Sequence, residues 1–231
     1  MGKFTEIIAD ARKEGRRSLL EPEAKSICQE YGIPVPEFRL AGTEEETMIF
    51  AKEIGFPVVL KIVSIDIVHK SDLGGVMVNL KTASEVKMAY NMILANVKRQ
   101  KPEADILGML VQEMAPPSTE VIVGAIKDNQ FGPTLMFGLG GVFVEVLEDV
   151  AFRIAPVTRQ EARLMIAEIK AYAVLKGYRN HPPLDTDAIA EIILSTSKLV
   201  DEHEEIRELD LNPVLVYEKG AKTVDARIIL E

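Results

Sequence analysis

The segment Glu208-Leu209-Asp210-Leu211-Asn212-Pro213 alternates polar and apolar residues. On a strand, successive side chains point to opposite faces, so Glu208, Asp210 and Asn212 share one face and Leu209 and Leu211 the other. An acid and an amide two residues apart at a strand end offer oxygen ligands to a hard divalent cation. Asp225, in the strand-like Thr223-Val224-Asp225-Ala226, reaches the same ion if the two strands pair as a hairpin. The competing reading is a solvated polar face, which suits Glu208 better than the residues beside Pro213.

Three further segments carry possible phosphate chemistry. Pro57-Val58-Val59-Leu60-Lys61-Ile62-Val63 reads as a strand with one lysine in an apolar run. Such a lysine either lies at a sheet edge or aims its point charge at a ligand such as phosphate. Next comes a polar loop in which His69 is followed by Lys70 and then by Gly74-Gly75. Neutral imidazole is a nucleophile near pH 7. The other histidines, His181 and His203, read as surface residues. Gly138-Leu139-Gly140-Gly141 can turn backbone N–H groups around an anion, or it is simply a tight turn. Arg153 in Phe152-Arg153-Ile154 is a cation on a following strand that can serve the same anion.

The elements that must position these residues are legible in outline. Thr43…Glu46, Thr82…Glu85 and Thr158…Glu161 are capping-box pairs and start three helices. A helix over 22–31 buries Ala24, Ile27, Cys28 and Tyr31, which makes Cys28 a small apolar residue rather than a reactive thiol. A charged helix over 5–17 reads as lying outside the core. Strands are expected at 37–41, 57–63, 75–80, 106–113, 119–127, 133–138, 143–154, 206–212, 213–218 and 222–226. Several are adjacent and hairpin-like, so the fold class is α+β with antiparallel sheet. Pro116-Pro117 stops the ladder after 106–113 and marks a hinge between two lobes. The expected organisation is an N-terminal helical extension over 1–20, a small lobe with the histidine loop over 21–113, and a large lobe with the hinge and metal residues over 114–231.

Composition narrows the function classes. With 27 Lys+Arg against 36 Asp+Glu the net charge is −9, which argues against nucleic acid and anionic membranes as partners. One cysteine excludes a disulfide framework and a multi-cysteine zinc site. The absence of a signal-peptide pattern and of a long apolar run predicts a cytoplasmic protein. No Walker GxxxxGK[ST], GxSxG or HExxH occurs, and Phe143 stands where a third dinucleotide glycine belongs.

The order of these pieces is specific: lysine strand, His–Gly-Gly loop, acid before a proline hinge, glycine loop, Asp-x-Asn-Pro and a later Asp. From about residue 20 to 231 it resembles the ATP-grasp fold, in which two α+β lobes grip a nucleotide. The stretches KIVSIDIVHKSDLGGV, GLGGVFVEVLEDVAFRIAP and ELDLNPVLV are most similar to the β subunits of ADP-forming acetyl-CoA (acyl-CoA) synthetases. One departure is Asn180, where the family often has glycine after an arginine.

The resemblance implies a ligase that converts acyl-CoA, ADP and phosphate to acid, CoA and ATP. It places Lys61 on ATP phosphates, Glu113 and Met114 around adenine at the hinge, Glu120 on ribose hydroxyls, and Asn212 and Asp225 on Mg²⁺. His69 becomes the phosphorylated histidine that relays a phosphoryl group to ADP. Asp210 orients it, with a metal role left open. It also implies an α subunit carrying the CoA and acyl chemistry, in an α2β2 assembly. A stand-alone ATP-grasp carboxylate ligase would not need His69. A phosphohistidine regulatory module would need little acyl chemistry, and a non-catalytic nucleotide-binding subunit would lose the metal residues. His69, Asp210, Asn212 and Asp225 together favour the synthetase.

Overall fold

The computed structural model describes residues 2–67, 69–141, 148–179 and 181–231. The chain divides into two compact units: Leu20–Pro22 with Pro36–Pro116, and Met1–Leu19 with Glu23–Val35 and Pro117–Glu231. The sequence reading had placed residues 23–35 in the small lobe. They go with the larger unit because Ala24, Ile27, Cys28 and Ile33 are buried in its core.

The smaller unit is built on a four-stranded antiparallel sheet in the order β1-β4-β2-β3 among the described residues. These strands are β1 (Phe38–Ala41), β2 (Val58–Ser64), β3 (Val76–Leu80) and β4 (Ile106–Glu113). Two of the unit's helices, α3 (Glu44–Ile54) and α4 (Ala83–Gln100), pack on the sheet. Thr43 and Thr82 cap them, each hydroxyl accepting from the N–H of the glutamate three residues on. Glu46 and Glu85 reach back one residue beyond the cap, to the N–H groups of Gly42 and Lys81. The core is formed by Leu60, Ile62, Val86, Ile93, Met109 and Val111, among others.

The larger unit carries a six-stranded antiparallel sheet among the described residues. Its order is β10-β8-β5-β6-β7, with β9 also paired to β8. The strands are β5 (Thr119–Asp128), β6 (Gly132–Leu139), β7 (Val150–Ile154), β8 (Ile206–Val216), β9 (Ala221–Thr223) and β10 (Ala226–Leu230). Helices α5 (Arg159–Glu168), α6 (Tyr172–Leu175) and α7 (Thr186–Glu202) accompany it. Thr158 and Glu161 form the full reciprocal capping box at α5. In α7 the buried stripe Ile189, Ile192, Ile193, Thr196 and Val200 keeps helical spacing. Part of the strand expected over 143–154 lies outside the described residues.

The charged helix expected outside the core is α1 (Lys3–Lys13), and it is in the core: Phe4, Ile8 and Ala11 are buried. The sequence reading weighed its charges and missed the i, i+4, i+7 apolar stripe beneath them. His203, expected at the surface, stacks on Phe4 with ring centroids 3.4 Å apart and shares a 2.7 Å hydrogen bond with the Tyr31 hydroxyl. The division expected between 206–212 and 213–218 is absent, because β8 runs through Asn212-Pro213 as one strand.

Candidate functional site

In the larger unit, β8 lies between β5 and β10. Leu209 and Leu211 are buried, while Glu208, Asp210 and Asn212 line a hollow of about 310 Å³ on the opposite face. Ile122, Gly124, Met136 and Phe152 provide apolar walls. The alternation read from sequence is therefore the alternation observed.

A bulge sets the end of this row. Val121 pairs with Val214 and Val123 with Leu211, so Asn212 and Pro213 together oppose Ile122. A bulge bends its strand and re-aims a side chain, and it tolerates a proline that has no N–H to give the ladder. On the other side of β8 the chain passes from β9 to β10 through Val224-Asp225. There the Asn212 N–H donates to the Asp225 carbonyl at 3.3 Å and the Val224 N–H to the Pro213 carbonyl at 2.9 Å. Asn212 and Asp225, thirteen residues apart in sequence, are thus held side by side.

Asp210 lies opposite Arg227 in the β8–β10 register. Burial pushes its carboxyl above the ordinary value, and the charges of Asp225 and Glu208 add to that shift, while Arg227 opposes it. Such a carboxylate is a better hydrogen-bond acceptor than a solvated one. Arg227 escaped the sequence reading, although Asp225-x-Arg227 carried a period-2 signal. Among the described residues no trio of His, Cys, Asp and Glu could hold a metal. One amide and one carboxylate fit Mg²⁺, which is usually held by one or two protein groups together with substrate phosphates and water.

Glu120, on β5, is joined to the glycine loop. Its carbonyl accepts from the Gly140 N–H at 2.8 Å, and a Cβ on Gly140 would lie 2.9 Å from the Glu120 Cβ. Gly141 has φ +63°, the left-handed conformation that glycine adopts without cost. The rest of the glycine segment, residues 142–147, lies outside the described residues. Arg153 does not join the set. Phe152 takes the place on the hollow's face, and Arg153, its neighbour on β7, pairs with Glu168 of α5 at 2.5 Å. The Arg179 guanidinium lies 5.2 Å from the Tyr178 ring centroid, and Asn180 is outside the described residues.

In the smaller unit, Lys61 lies on β2, an interior strand between β4 and β3, so the edge-lysine reading fails. Its side chain is 5% exposed and its Nζ is 2.6 Å from Glu21 Oε1. His69 is exposed, beyond the end of β2. The loop that carries it is tied on both sides. Asp66 accepts from the Asp105 N–H at 2.7 Å and, through its carbonyl, from Lys101 Nζ at 2.9 Å. The Lys70 carbonyl accepts from the Gly75 N–H at 2.8 Å, and the Lys70 ammonium binds Glu21. Glu21, the first residue of α2 (Glu21–Glu30), was missed by the sequence reading, since nothing in its spacing links it to either lysine. At the end of β4 the Glu113 N–H donates to Glu37 and the Met114 N–H to Pro57.

The family described as ATP-grasp domain matches residues 10–230. The β subunit of acetate–CoA ligase [ADP-forming] I from Pyrococcus furiosus is 52% identical over 230 residues, which cover 100% of this chain and 99% of the relative. Acetate–CoA ligase [ADP-forming] I from Archaeoglobus fulgidus is 48% identical over 99% of this chain, and that match takes up 33% of the longer relative. A solved structure of acetyl-coenzyme A synthetase 1 from Ca. Korarchaeum cryptofilum superposes with a TM-score of 0.87 at 52% identity, covering 98% of this chain and 99% of that one. It holds coenzyme A and Mg-AMPPCP, with its phosphohistidine segment pointing towards the nucleotide-binding site.

Proposed function

Because the chain belongs to the ATP-grasp family, among the β subunits of ADP-forming acetate–CoA ligases, we propose that it passes a phosphoryl group between His69 and ADP. The ligase converts acyl-CoA, ADP and phosphate to acid, CoA and ATP, and the other half of the chemistry belongs to an α subunit. We assign the assembly as α2β2.

The observation that carries the residue assignment is the placement of His69. It is an exposed imidazole between two anchored points, Asp66 and Lys70. A relay needs a nucleophile that is accessible yet rooted, since phosphoryl transfer depends on positioning and charge stabilisation more than on covalent elaboration. In the step towards ATP, the N–P bond of phosphohistidine breaks and an O–P bond to the ADP β-phosphate forms. Imidazole is the leaving group and recovers its lone pair.

Lys61 supplies the fixed cation for the nucleotide phosphates. Glu113 and Met114 frame the base, Glu120 takes the ribose hydroxyls, and Gly141 offers its backbone N–H to phosphate, while the Gly140 N–H is held by the Glu120 carbonyl. Asn212 and Asp225 would hold Mg²⁺, which neutralises phosphate charge when bound. Asp210 accepts a hydrogen bond from the imidazole nitrogen that does not carry phosphate, a role suited to its raised pKa. Arg153 has no part in this assignment, because Phe152 and not Arg153 lines the hollow.

The test is His69→Ala in the complex with the α partner. Acyl-CoA-dependent ATP formation is expected to disappear while Mg-ADP binding by calorimetry persists. A variant that still couples acyl-CoA cleavage to ATP formation would remove His69 from the route.

A further inference from the structure

Glu21 is placed where two functions of the smaller unit meet. Its side chain is 2% exposed. One carboxylate oxygen binds Lys61 Nζ at 2.6 Å, and the other binds the ammonium of Lys70. Lys61 stands on β2, and Lys70 directly follows His69. A single buried carboxylate therefore connects a strand lysine to the root of the histidine segment.

The root is fixed through its backbone as well. The Lys70 carbonyl accepts from the N–H groups of Leu73 at 3.3 Å and Gly75 at 2.8 Å, and the Gly75 carbonyl accepts from the Ile62 N–H on β2 at 2.8 Å. A Cβ on Gly75 would come within 2.7 Å of Ile62 Cγ2 and 2.9 Å of the Lys70 carbonyl, so the loop closes onto β2 without room for a side chain. Glu21 adds the charged contact to this closure. Hydrogen bonds between ionised partners are shorter and stronger than neutral ones, and in a buried setting they fix direction as well as distance.

We propose that Glu21 is a positioning residue for phosphoryl transfer. It orients the Lys61 ammonium and, through Lys70, anchors the C-terminal root of the His69 segment. This inference rests on the roles proposed above for Lys61 and His69. Its chemical logic is that an ammonium has three N–H donors. The donor directed at Glu21 fixes the orientation of the Lys61 ammonium, and the same carboxylate sets where the chain leaves Lys70 towards the imidazole. A glutamine at position 21 keeps the shape but removes the charge, so neither lysine keeps an ionised partner.

The experiment measures acid-labile phosphate on His69 after rapid mixing of the α-partnered complex with Mg-ATP, alongside calorimetric binding of Mg-ADP. Lys70→Met is expected to slow phosphorylation about tenfold, the loss of one charged hydrogen bond, while leaving Mg-ADP affinity within about threefold. Lys70→Arg is expected to restore most of the rate. Glu21→Gln should slow phosphorylation and weaken Mg-ADP binding together, and adding Lys70→Met to it should slow phosphorylation no further. Wild-type phosphorylation in Lys70→Met, or multiplied losses in the double variant, would overturn the inference. If the wild-type complex itself forms no phosphohistidine, the relay fails and Glu21 has no transfer to position. Lys70→Met leaves the Glu21–Lys61 pair in place, so a poorly folded Glu21→Gln would still leave a decisive variant.

Discussion

The backbone N–H of Asn212 donates to the carbonyl of Asp225 at 3.3 Å, so main chain joins the two proposed metal residues. Substituting either side chain leaves that link intact. Asn212→Ala and Asp225→Ala are expected to keep the fold and to weaken Mg-nucleotide binding by about ten- to a hundredfold, the effect of losing a charged or metal-directed contact. Calorimetry with and without EDTA checks this. Chelation should reduce wild-type affinity to the level of the variants and leave the variants nearly unchanged.

Asp210 has the opposite relation to stability. Its folded pKa is raised, chiefly by burial, so the folded state binds more protons than the unfolded state just above the ordinary aspartate value of 3.8. Stability therefore falls as pH rises from that value through the folded pKa, and the loss persists at neutral pH. Asp210→Asn is expected to raise the melting temperature at pH 7 and to flatten this part of the stability–pH curve. It should also slow phosphorylation of His69. A melting temperature below that of the wild type would contradict the electrostatic account.

Asp185 behaves as a conventional cap. Its carboxylate accepts from the N–H of Ala188 at 2.9 Å at the start of α7 and from the N–H of Gly220 at 2.7 Å. These bonds lower its pKa, the Gly220 bond first. The stabilisation is present above pH 3.8 and is lost as pH falls through the lower folded value. Asp185→Ala should cost about 1–2 kcal/mol at neutral pH, measured by urea denaturation, with the difference from wild type vanishing in strong acid.

Cys28 is fully buried, and desolvation pushes its thiol up to about 12. Thiolate is the reactive form, so the native protein is expected to resist alkylation at pH 8 and to be labelled only on unfolding. Mass spectrometry after iodoacetamide treatment, with and without denaturant, reads this directly. Rapid labelling of the folded chain would show that the α2 face opens.

The parts of this protein that its sequence alone decided are those whose partners lie a few residues away. Thr43, Thr82 and Thr158 cap their helices because the receiving N–H is three residues on. Glu208, Asp210 and Asn212 share a face because a strand has period two. Even there, the local pattern predicted two strands where Pro213 stands. The bulge opposite Ile122 carries the strand through, and that required knowing what β5 places alongside. Arg227 meets Asp210 only through the register of β10 on β8, and α1 enters the core because Phe4, Ile8 and Ala11 find apolar partners outside their own helix. Glu21 is 40 residues from Lys61 and 49 from Lys70. No spacing rule reaches that far, since side chains so distant in sequence meet only when burial of the intervening elements brings their strands and helices together.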